Sequence, residues 1–141
     1  MISSICAANM LASKGHSISP EGKLRGLQKA LFHGVPRLNA WIAVSGLQVA
    51  GYATAAAEYA TWAAEEYLHM DCLFVRPRYR NARLGSALLS AVVQHAREFG
   101  YREMQWQTPE WNFDGCRFYR RHGGVRESKM RFRLAPEAQQ R

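Results

Sequence analysis

The chain has few acidic residues: 11 Asp and Glu stand against 19 Lys and Arg among 141 residues, and the formal net charge is +8. Such a surface attracts anions, and nucleic acid, a polyphosphate cofactor and an acidic partner all fit it. No apolar run approaches the roughly 18 residues of a membrane span, and the start lacks the basic flank and long apolar run of a signal peptide. We therefore expect a cytoplasmic protein with no membrane partner.

Cysteine is also scarce. Cys6, Cys72 and Cys116 are odd in number and are not spaced like zinc ligands, and the five histidines are scattered. We therefore expect no metal. The length and the 48% hydrophobic content suffice for one core but not for two ordinary domains, so residues 1–141 are predicted to form a single domain.

Hydrophobic periodicity predicts strands that alternate with helices after an initial hairpin. This order implies an α/β or α+β fold with a mixed sheet, and a ligand site where a strand leads into a helix. Residues 135–141 are predicted to form a frayed tail. The predicted helices cover 20–32, 84–99 and the residues after Asn112, and the predicted strands cover 39–44, 47–54 (after a turn at 45–46), 67–75, 102–107 and 129–134.

Residues 71–88 combine an apolar strand, a loop that bears Arg and Gly, and the start of a helix. Unpaired backbone N–H groups at a helix start point outward, the helix dipole adds partial positive charge, and Arg side chains supply full charge. The layout therefore predicts a phosphate cradle. Arg is concentrated over 76–83 and 117–133, and a solvated basic surface is the alternative interpretation.

The loop Arg80-Asn81-Ala82-Arg83-Leu84-Gly85 resembles the cofactor loop of the GNAT superfamily of N-acetyltransferases, which reads Arg or Gln, two residues, Gly, one residue, Gly or Ala. The similarity continues through Asn112 and Arg117-Phe118-Tyr119 and covers most of the chain. Three further segments look most like the diamine (spermidine/spermine) acetyltransferase branch. These segments are 59–62, 70–75 and 110–112.

This resemblance implies a GNAT-type acyl-CoA N-acyltransferase fold, in which helices flank a mixed central sheet. It implies transfer of acetyl from acetyl-CoA to a primary amine of a small molecule (a diamine, polyamine or amino-acid-like compound) by direct attack. Because dimerisation is common in the family, we also expect a homodimer. The cofactor-binding residues implied by the match are Leu73, Phe74, Val75, Arg80, Asn81, Ala82, Arg83, Leu84, Gly85, Ser86, Asn112 and Tyr119.

Asp71 matches the acidic position that this branch places on the strand before the loop, so we expect it to bind the amine and to remove its proton. Strand alternation puts Asp71, Leu73 and Val75 on one face, and His69 on that face is a second candidate base. The alternative is a carboxylate that only orders substrate or pairs with an arginine. A backbone N–H near Leu73 is the expected donor to the oxyanion.

Tyr119 matches the family tyrosine that gives a proton to the leaving CoA thiolate, a task that suits a weakly acidic phenol. A tyrosine packed in the core is the alternative. Asn112 either hydrogen-bonds the cofactor or only caps its helix. Trp62 and Trp111 are expected to line the amine site because aromatic faces attract cations, although isolated aromatics are usually core residues.

Two features depart from the family pattern. Arg83 stands where the family has its first loop Gly, so its side chain either obstructs the pyrophosphate or swings outward and binds a phosphate itself. Residues 1–18 leave little room for the family's first strand, which we expect to be missing or degenerate. The charge of +8 keeps two other functions open: acetylation of an amine carried by RNA or protein, and a non-catalytic module that binds CoA or, less favoured, nucleic acid.

Overall fold

The structure is a computed structural model that describes residues 20–136. The predictions for residues 1–18, including the missing or degenerate first strand, and for tail residues 137–141 lie outside the described residues. No helix in the described part is long and apolar enough to cross a membrane. The helices are α1 (Pro20–Phe32), α2 (Leu84–Glu98) and α3 (Phe113–Arg121), and the strands are β1 (Asn39–Ser45), β2 (Gln48–Ala60), β3 (Glu65–Val75) and β4 (Met104–Gln105).

These strands form one sheet in the order β1-β2-β3-β4. β1 and β2 are antiparallel, β2 and β3 are antiparallel, and β3 and β4 are parallel. The parallel pair needs a crossover connection, which α2 supplies. The predicted α/β fold with a mixed sheet is therefore confirmed, as are the helices predicted near 20–32 and 84–99.

The first hairpin turns at Gly46 and Leu47, one residue later than predicted. Ser45 pairs with Gln48, and Gly46 has a φ of +59°, a left-handed conformation that glycine adopts without steric cost. β2 then continues to Ala60, beyond the predicted end at residue 54, because its pairing with β3 continues through an alanine-rich stretch. Alanine is a weak strand former, and tertiary pairing overrides that preference here.

The core lies between one side of α2 and the middle of β2 and β3. The buried positions of α2 recur at helical spacing, as its periodicity predicts. Small alanine side chains on β2 allow the helix to approach the sheet closely. The buried side chains of this cluster are Ala53, Ala55, Leu68, Met70, Leu88, Leu89, Val92 and Ala96.

A β-bulge interrupts β3 at Asp71. Thr54 on β2 pairs with Cys72, and the next residue, Ala55, pairs with Met70. Asp71 is therefore an extra residue on β3, and it is exposed. A bulge of this kind bends the strand and re-aims the side chains around it.

The bulge changes which side chains of β3 share a face. Leu68 and Met70 before it, and Leu73 and Val75 after it, all pack toward the α2 cluster. The prediction that Asp71 shares a face with Leu73 and Val75 is therefore wrong. Alternation with a period of two holds only while no extra residue enters the strand.

The strand predicted over 102–107 is reduced to β4. Its two residues pair only with Leu68 and His69 of β3. β3 continues six residues past this ladder, so β4 covers only a small part of its edge.

The strand predicted over 129–134 does not form, since residues 124–135 contain no helix or strand. The alternating apolar side chains Met130 and Phe132 are each 85% exposed. An alternating pattern is not sufficient for a strand, because its backbone groups need a neighbouring strand, and no described strand pairs with this segment.

Candidate active site

The edge of β3 near its end is not covered by β4. In an antiparallel pair, every second residue directs both its N–H and its C=O toward the partner strand. The residues between them direct both groups to the opposite edge. The Arg76 N–H donates to the Ala50 carbonyl on β2 at 2.8 Å, so Val75 and Leu73 direct their N–H and C=O groups to the opposite edge. Arg80 Nε donates to the Val75 carbonyl at 3.1 Å, which agrees with that direction. This edge therefore presents main-chain hydrogen-bonding groups to an extended ligand.

The loop after β3 is tightly wound. Pro77–Tyr79 form a short 3₁₀ helix, and Asn81 and Arg83 have left-handed backbones with φ of +66° and +60°. Asn tolerates this conformation, whereas for most other residues it costs about 1–2 kcal/mol. Arg83 therefore carries backbone strain that the loop glycine of the GNAT pattern would not.

The start of α2 has backbone donors that no side chain of residues 20–136 caps. Arg83 is the N-cap residue, and it makes no side-chain cap hydrogen bond. The N–H groups of Leu84, Gly85 and Ser86 open the helix, where intrahelical acceptors are missing. A Cβ on Gly85 would lie 3.5 Å from the Phe118 ring, so glycine allows α2 to begin close to α3. These donors and the helix dipole fit a phosphate group of acetyl-CoA.

The arginines of the loop add positive charge that no carboxylate neutralises within residues 20–136. Arg78 and Arg80 donate only to neutral groups, a side-chain amide and a main-chain carbonyl. Arg76 and Arg83 are exposed, and neither side chain has a hydrogen bond or ion pair in this part of the chain. The charge of this loop is therefore available to an anionic ligand.

Tyr119 lies on α3 and packs against Trp106 and Phe118, each with a ring-centroid distance of 5.3 Å. Burial, followed by the negative charge that Cys116 can carry, raises the pKa of Tyr119 to about 12. The phenol is therefore fully protonated at neutral pH. Tyr119 also packs against the core cluster, which agrees with the interpretation as a core tyrosine, and its role as a proton donor stays a prediction.

Asn112 caps α3, as predicted. Its Oδ1 accepts from the Gly115 N–H at 3.2 Å, and its Nδ2 donates to Thr108 Oγ1 at 2.8 Å. Each end of the amide has a structural partner, which favours the capping role. Cofactor contact by Asn112 stays a prediction.

Asp71 lies beside Tyr52 of β2. Burial, and then the nearby Asp71 carboxylate, raises the pKa of Tyr52. The Tyr52 hydroxyl lies 3.9 Å from Cys72 Sγ, and its ring meets Phe74 edge-on at 5.7 Å. Within residues 20–136, Asp71 itself makes no hydrogen bond or ion pair through its side chain, so this exposed carboxylate is accessible to an amine.

The structure places Trp62, one of the predicted amine-site residues, far along the sheet from Asp71. Trp62 is fully exposed in the turn between β2 and β3. Glu65, at the start of β3, lies six residue positions before Asp71, which is about 20 Å at about 3.3 Å per residue. Trp111 is 60% exposed just before α3. The roles of Trp62 and Trp111 stay predictions.

Two interactions at this site have no local sequence signal. The Asp71 carboxylate is near enough to Tyr52 to help raise its pKa, and His122 contacts Ser86 at a sequence separation of 36 residues. Only the tertiary fold brings these residues together.

A cavity of about 480 Å³ lies beside α3, and no residue of β3 or of the loop lines it. Two of its arginines are ion-paired with acidic residues, Arg117 with Asp114 and Arg126 with Glu110. None of the predicted cofactor residues lines it. The lining residues are Glu110, Phe113, Cys116, Arg117, Arg120 and Arg126.

The protein is thus an α/β protein with a mixed sheet, whose third strand leads into an arginine-bearing helix start of a kind that suits a phosphate group. The chain matches the Acetyltransferase (GNAT) family over residues 11–124 and belongs to that family. The resemblance inferred from the sequence is thereby confirmed. Enzymes of this family take acetyl from acetyl-CoA, for which the loop and the α2 start described above are suited.

Two curated relatives are acetyltransferases of small amines. The chain is 30% identical over 82 residues to a thialysine N-epsilon-acetyltransferase of Caenorhabditis elegans, a match that covers 58% of this chain and 51% of that protein. It is 29% identical over 75 residues to an L-ornithine N5-acetyltransferase of Arabidopsis thaliana, covering 53% of this chain and 33% of that protein. The matches thus span about half or less of these relatives.

The fold is shared with solved acetyltransferases. A crystal structure of an aminoglycoside acetyltransferase from an uncultured soil metagenomic sample superposes with a TM-score of 0.71 and 18% identity. The superposition covers 90% of this chain and 81% of that one. This likeness supports the GNAT fold assigned from the strands and helices.

Proposed function

We propose that the protein is an N-acetyltransferase that moves acetyl from acetyl-CoA to a primary amine of a small molecule by direct attack. The observation that carries the proposal is the continuity of β3, its open edge and the arginine-bearing start of α2. The thialysine and ornithine specificities of the relatives favour a diamine or an amino-acid-like amine as acceptor.

Acetyl-CoA supplies the activated acyl group in this reaction. The main-chain groups of Leu73 and Val75 can pair with the amides of its pantetheine arm. The Leu73 N–H is also suited to donate to the carbonyl oxygen as it gains negative charge. The α2 start and the guanidinium groups of Arg80 and Arg83 can hold the diphosphate.

Asp71 is the proposed base, acting on the amine directly or through water. A protonated amine has no lone pair to attack with, so its proton must leave first. The exposed carboxylate of Asp71 can accept that proton and can also attract the cationic form of the substrate. Its proximity to Tyr52 supports a site on the face of β3 opposite the α2 cluster.

Tyr119 is the proposed donor to the leaving sulfur. A thiol has a pKa of roughly 8.5, so a phenol with a pKa of about 12 is the weaker acid. Complete proton transfer to the free thiolate is therefore uphill. Tyr119 can therefore stabilise the developing negative charge on sulfur by donating a hydrogen bond to it.

The working unit proposed here is a homodimer in the cytoplasm. The exposed apolar residues Met130 and Phe132 of the C-terminal segment support an association between copies. Light scattering coupled to size exclusion should give twice the chain mass of 16.0 kDa, and a single-chain mass at micromolar concentration would contradict the dimer.

Calorimetric titration with acetyl-CoA tests the cofactor part of this proposal. We expect saturable binding that weakens modestly with salt. Absence of binding at millimolar acetyl-CoA would contradict an acetyltransferase. Tight RNA or DNA binding that falls steeply with salt would instead support the nucleic-acid alternative.

A further inference from the structure

His122 connects the end of α3 to the start of α2. Its Nδ1 is 2.8 Å from the Phe118 carbonyl oxygen, and its Nε2 is 3.0 Å from the Ser86 hydroxyl oxygen. A carbonyl oxygen only accepts, so Nδ1 carries a hydrogen in this arrangement. In the neutral ring, Nε2 has a lone pair and accepts the hydroxyl proton of Ser86. The neutral histidine therefore keeps the Ser86 hydrogen directed at itself.

Protonation of His122 reverses this bond. Both ring nitrogens then donate, Nδ1 to Phe118 and Nε2 to Ser86. The Ser86 oxygen becomes an acceptor, and its own hydrogen is free to donate elsewhere. Ser86 is the third residue of α2, at the uncapped helix start that fits a phosphate.

The charges on the two helices make this protonation sensitive to an anion. On α3, the titratable residues that precede His122 are Asp114 and Arg117, which form an ion pair with each other, then Cys116, Tyr119 and the cations Arg120 and Arg121. The first two turns of α2 carry no titratable side chain, and its N-cap is the cation Arg83. No described carboxylate pairs with His122. A bound diphosphate would bring negative charge next to these cations and to the His122 ring.

We propose that His122 is a proton-linked positioning residue of the cofactor site. When a diphosphate binds, His122 takes up a proton from solvent, and the Ser86 hydroxyl turns to donate to a phosphate oxygen. When the ligand leaves, the proton returns to solvent. The inference rests on the proposed function, because it assigns the α2 start to the diphosphate of acetyl-CoA.

Calorimetric titration with dephospho-CoA tests the inference. This probe keeps the diphosphate but lacks the 3′-phosphate. The 3′-phosphate itself titrates at about pH 6, so it would add its own protons to the number measured. Titrations near pH 7 in two buffers of different ionisation enthalpy give the number of protons taken up. The variants are His122→Gln, which keeps a neutral hydrogen-bonding amide that cannot be protonated, and His33→Gln, a matched change at an exposed histidine after α1.

Wild type and His33→Gln should take up a fraction of a proton. Their affinity for dephospho-CoA should fall roughly tenfold from pH 6 to pH 8, since a charge-assisted hydrogen bond is about twice as strong as a neutral one. His122→Gln should take up no proton on binding, and it should bind dephospho-CoA equally well at both pH values. His122→Asn serves if the glutamine variant does not fold.

Binding without proton uptake in wild type, or uptake that persists in His122→Gln, would overturn the inference while leaving the acetyltransferase intact. Failure of wild type to bind acetyl-CoA or dephospho-CoA at any pH would instead contradict the proposed function.

Discussion

At the scale of single residues, the proposed chemistry depends most on the phenol of Tyr119. Tyr119→Phe keeps the ring packing against Trp106 and removes only the hydroxyl. We expect turnover to fall about a hundredfold, because a positioned proton donor contributes roughly 10²–10⁴ to the rate. Calorimetry should show acetyl-CoA affinity within about threefold of wild type. Equal turnover in the two proteins would remove Tyr119 from the mechanism.

The raised pKa of Tyr119 also makes a prediction about stability. The usual pKa of a tyrosine is 10.0 and the folded value for Tyr119 is about 12, so folding favours the protonated phenol. That stabilisation is fully present below pH 10 and is lost as pH rises through 12. Wild type should therefore lose about 2 kcal/mol of unfolding free energy relative to Tyr119→Phe across this window, as measured by urea unfolding. Parallel pH curves for the two proteins would contradict the burial of a protonated phenol.

Arg83 combines backbone strain with a free charge, and two variants separate them. Arg83→Gly relieves the left-handed backbone and should stabilise the protein by about 0.5–1 kcal/mol in urea unfolding. Arg83→Ala keeps the strain and should not stabilise it. Because the Arg83 side chain is exposed and has no ion pair in residues 20–136, we expect both variants to bind acetyl-CoA about three- to tenfold more weakly.

Tighter acetyl-CoA binding by Arg83→Gly would show that Arg83 obstructs the diphosphate instead. A loss of stability in the glycine variant would contradict the strain assigned to the loop.

At the scale of elements, the cap of α3 gives a test that needs no ligand. A Cβ on Gly115 would lie 2.3 Å from Asn112 Nδ2, so Gly115→Ala displaces the side chain that caps the helix. Asn112→Ala removes the cap directly, at a cost of about 1 kcal/mol. In a double-mutant cycle by urea unfolding, the double variant should lose clearly less than the sum of the two single losses. Additive losses would show that the two residues act independently.

Sequence reasoning predicts best the elements whose signals are local. α2 has helical spacing of apolar residues, and the loop motif before it is a continuous string of residues. The bulge at Asp71 has no such signal, and it turns the side chains after it onto a different face. The segment 129–134 has the pattern of a strand but no partner strand among the described residues. Strand pairing and bulges depend on a partner strand that is distant in the sequence, so the pattern within one segment does not predict them.

The same limit applies to the candidate site. The loop arginines and Tyr119 follow from a motif, whereas the electrostatic effect of Asp71 on Tyr52 and the contact of His122 with Ser86 join separate elements. A motif identifies only the site residues that lie in one continuous segment. The residues that influence the protonation of those site residues come from other segments, and only the tertiary fold brings them close.

At the scale of the whole molecule, the charge of +8 is unevenly distributed. β3 begins with Glu65 and Glu66 and has Asp71 at its bulge, whereas the loop that follows it carries four arginines. The loop attracts an anionic cofactor, and the Asp71 carboxylate just before it attracts a cationic amine. The overall basicity therefore does not exclude an amine with more than one positive charge.

The most direct test of the account is amine-dependent release of free thiol from acetyl-CoA, measured with a panel that includes ornithine, thialysine and short diamines. The account predicts thiol release that requires the amine, saturates with it and is strongly reduced in Tyr119→Phe. Release that proceeds equally without any amine, or no release with every amine of the panel, would contradict an N-acetyltransferase built on β3 and the start of α2.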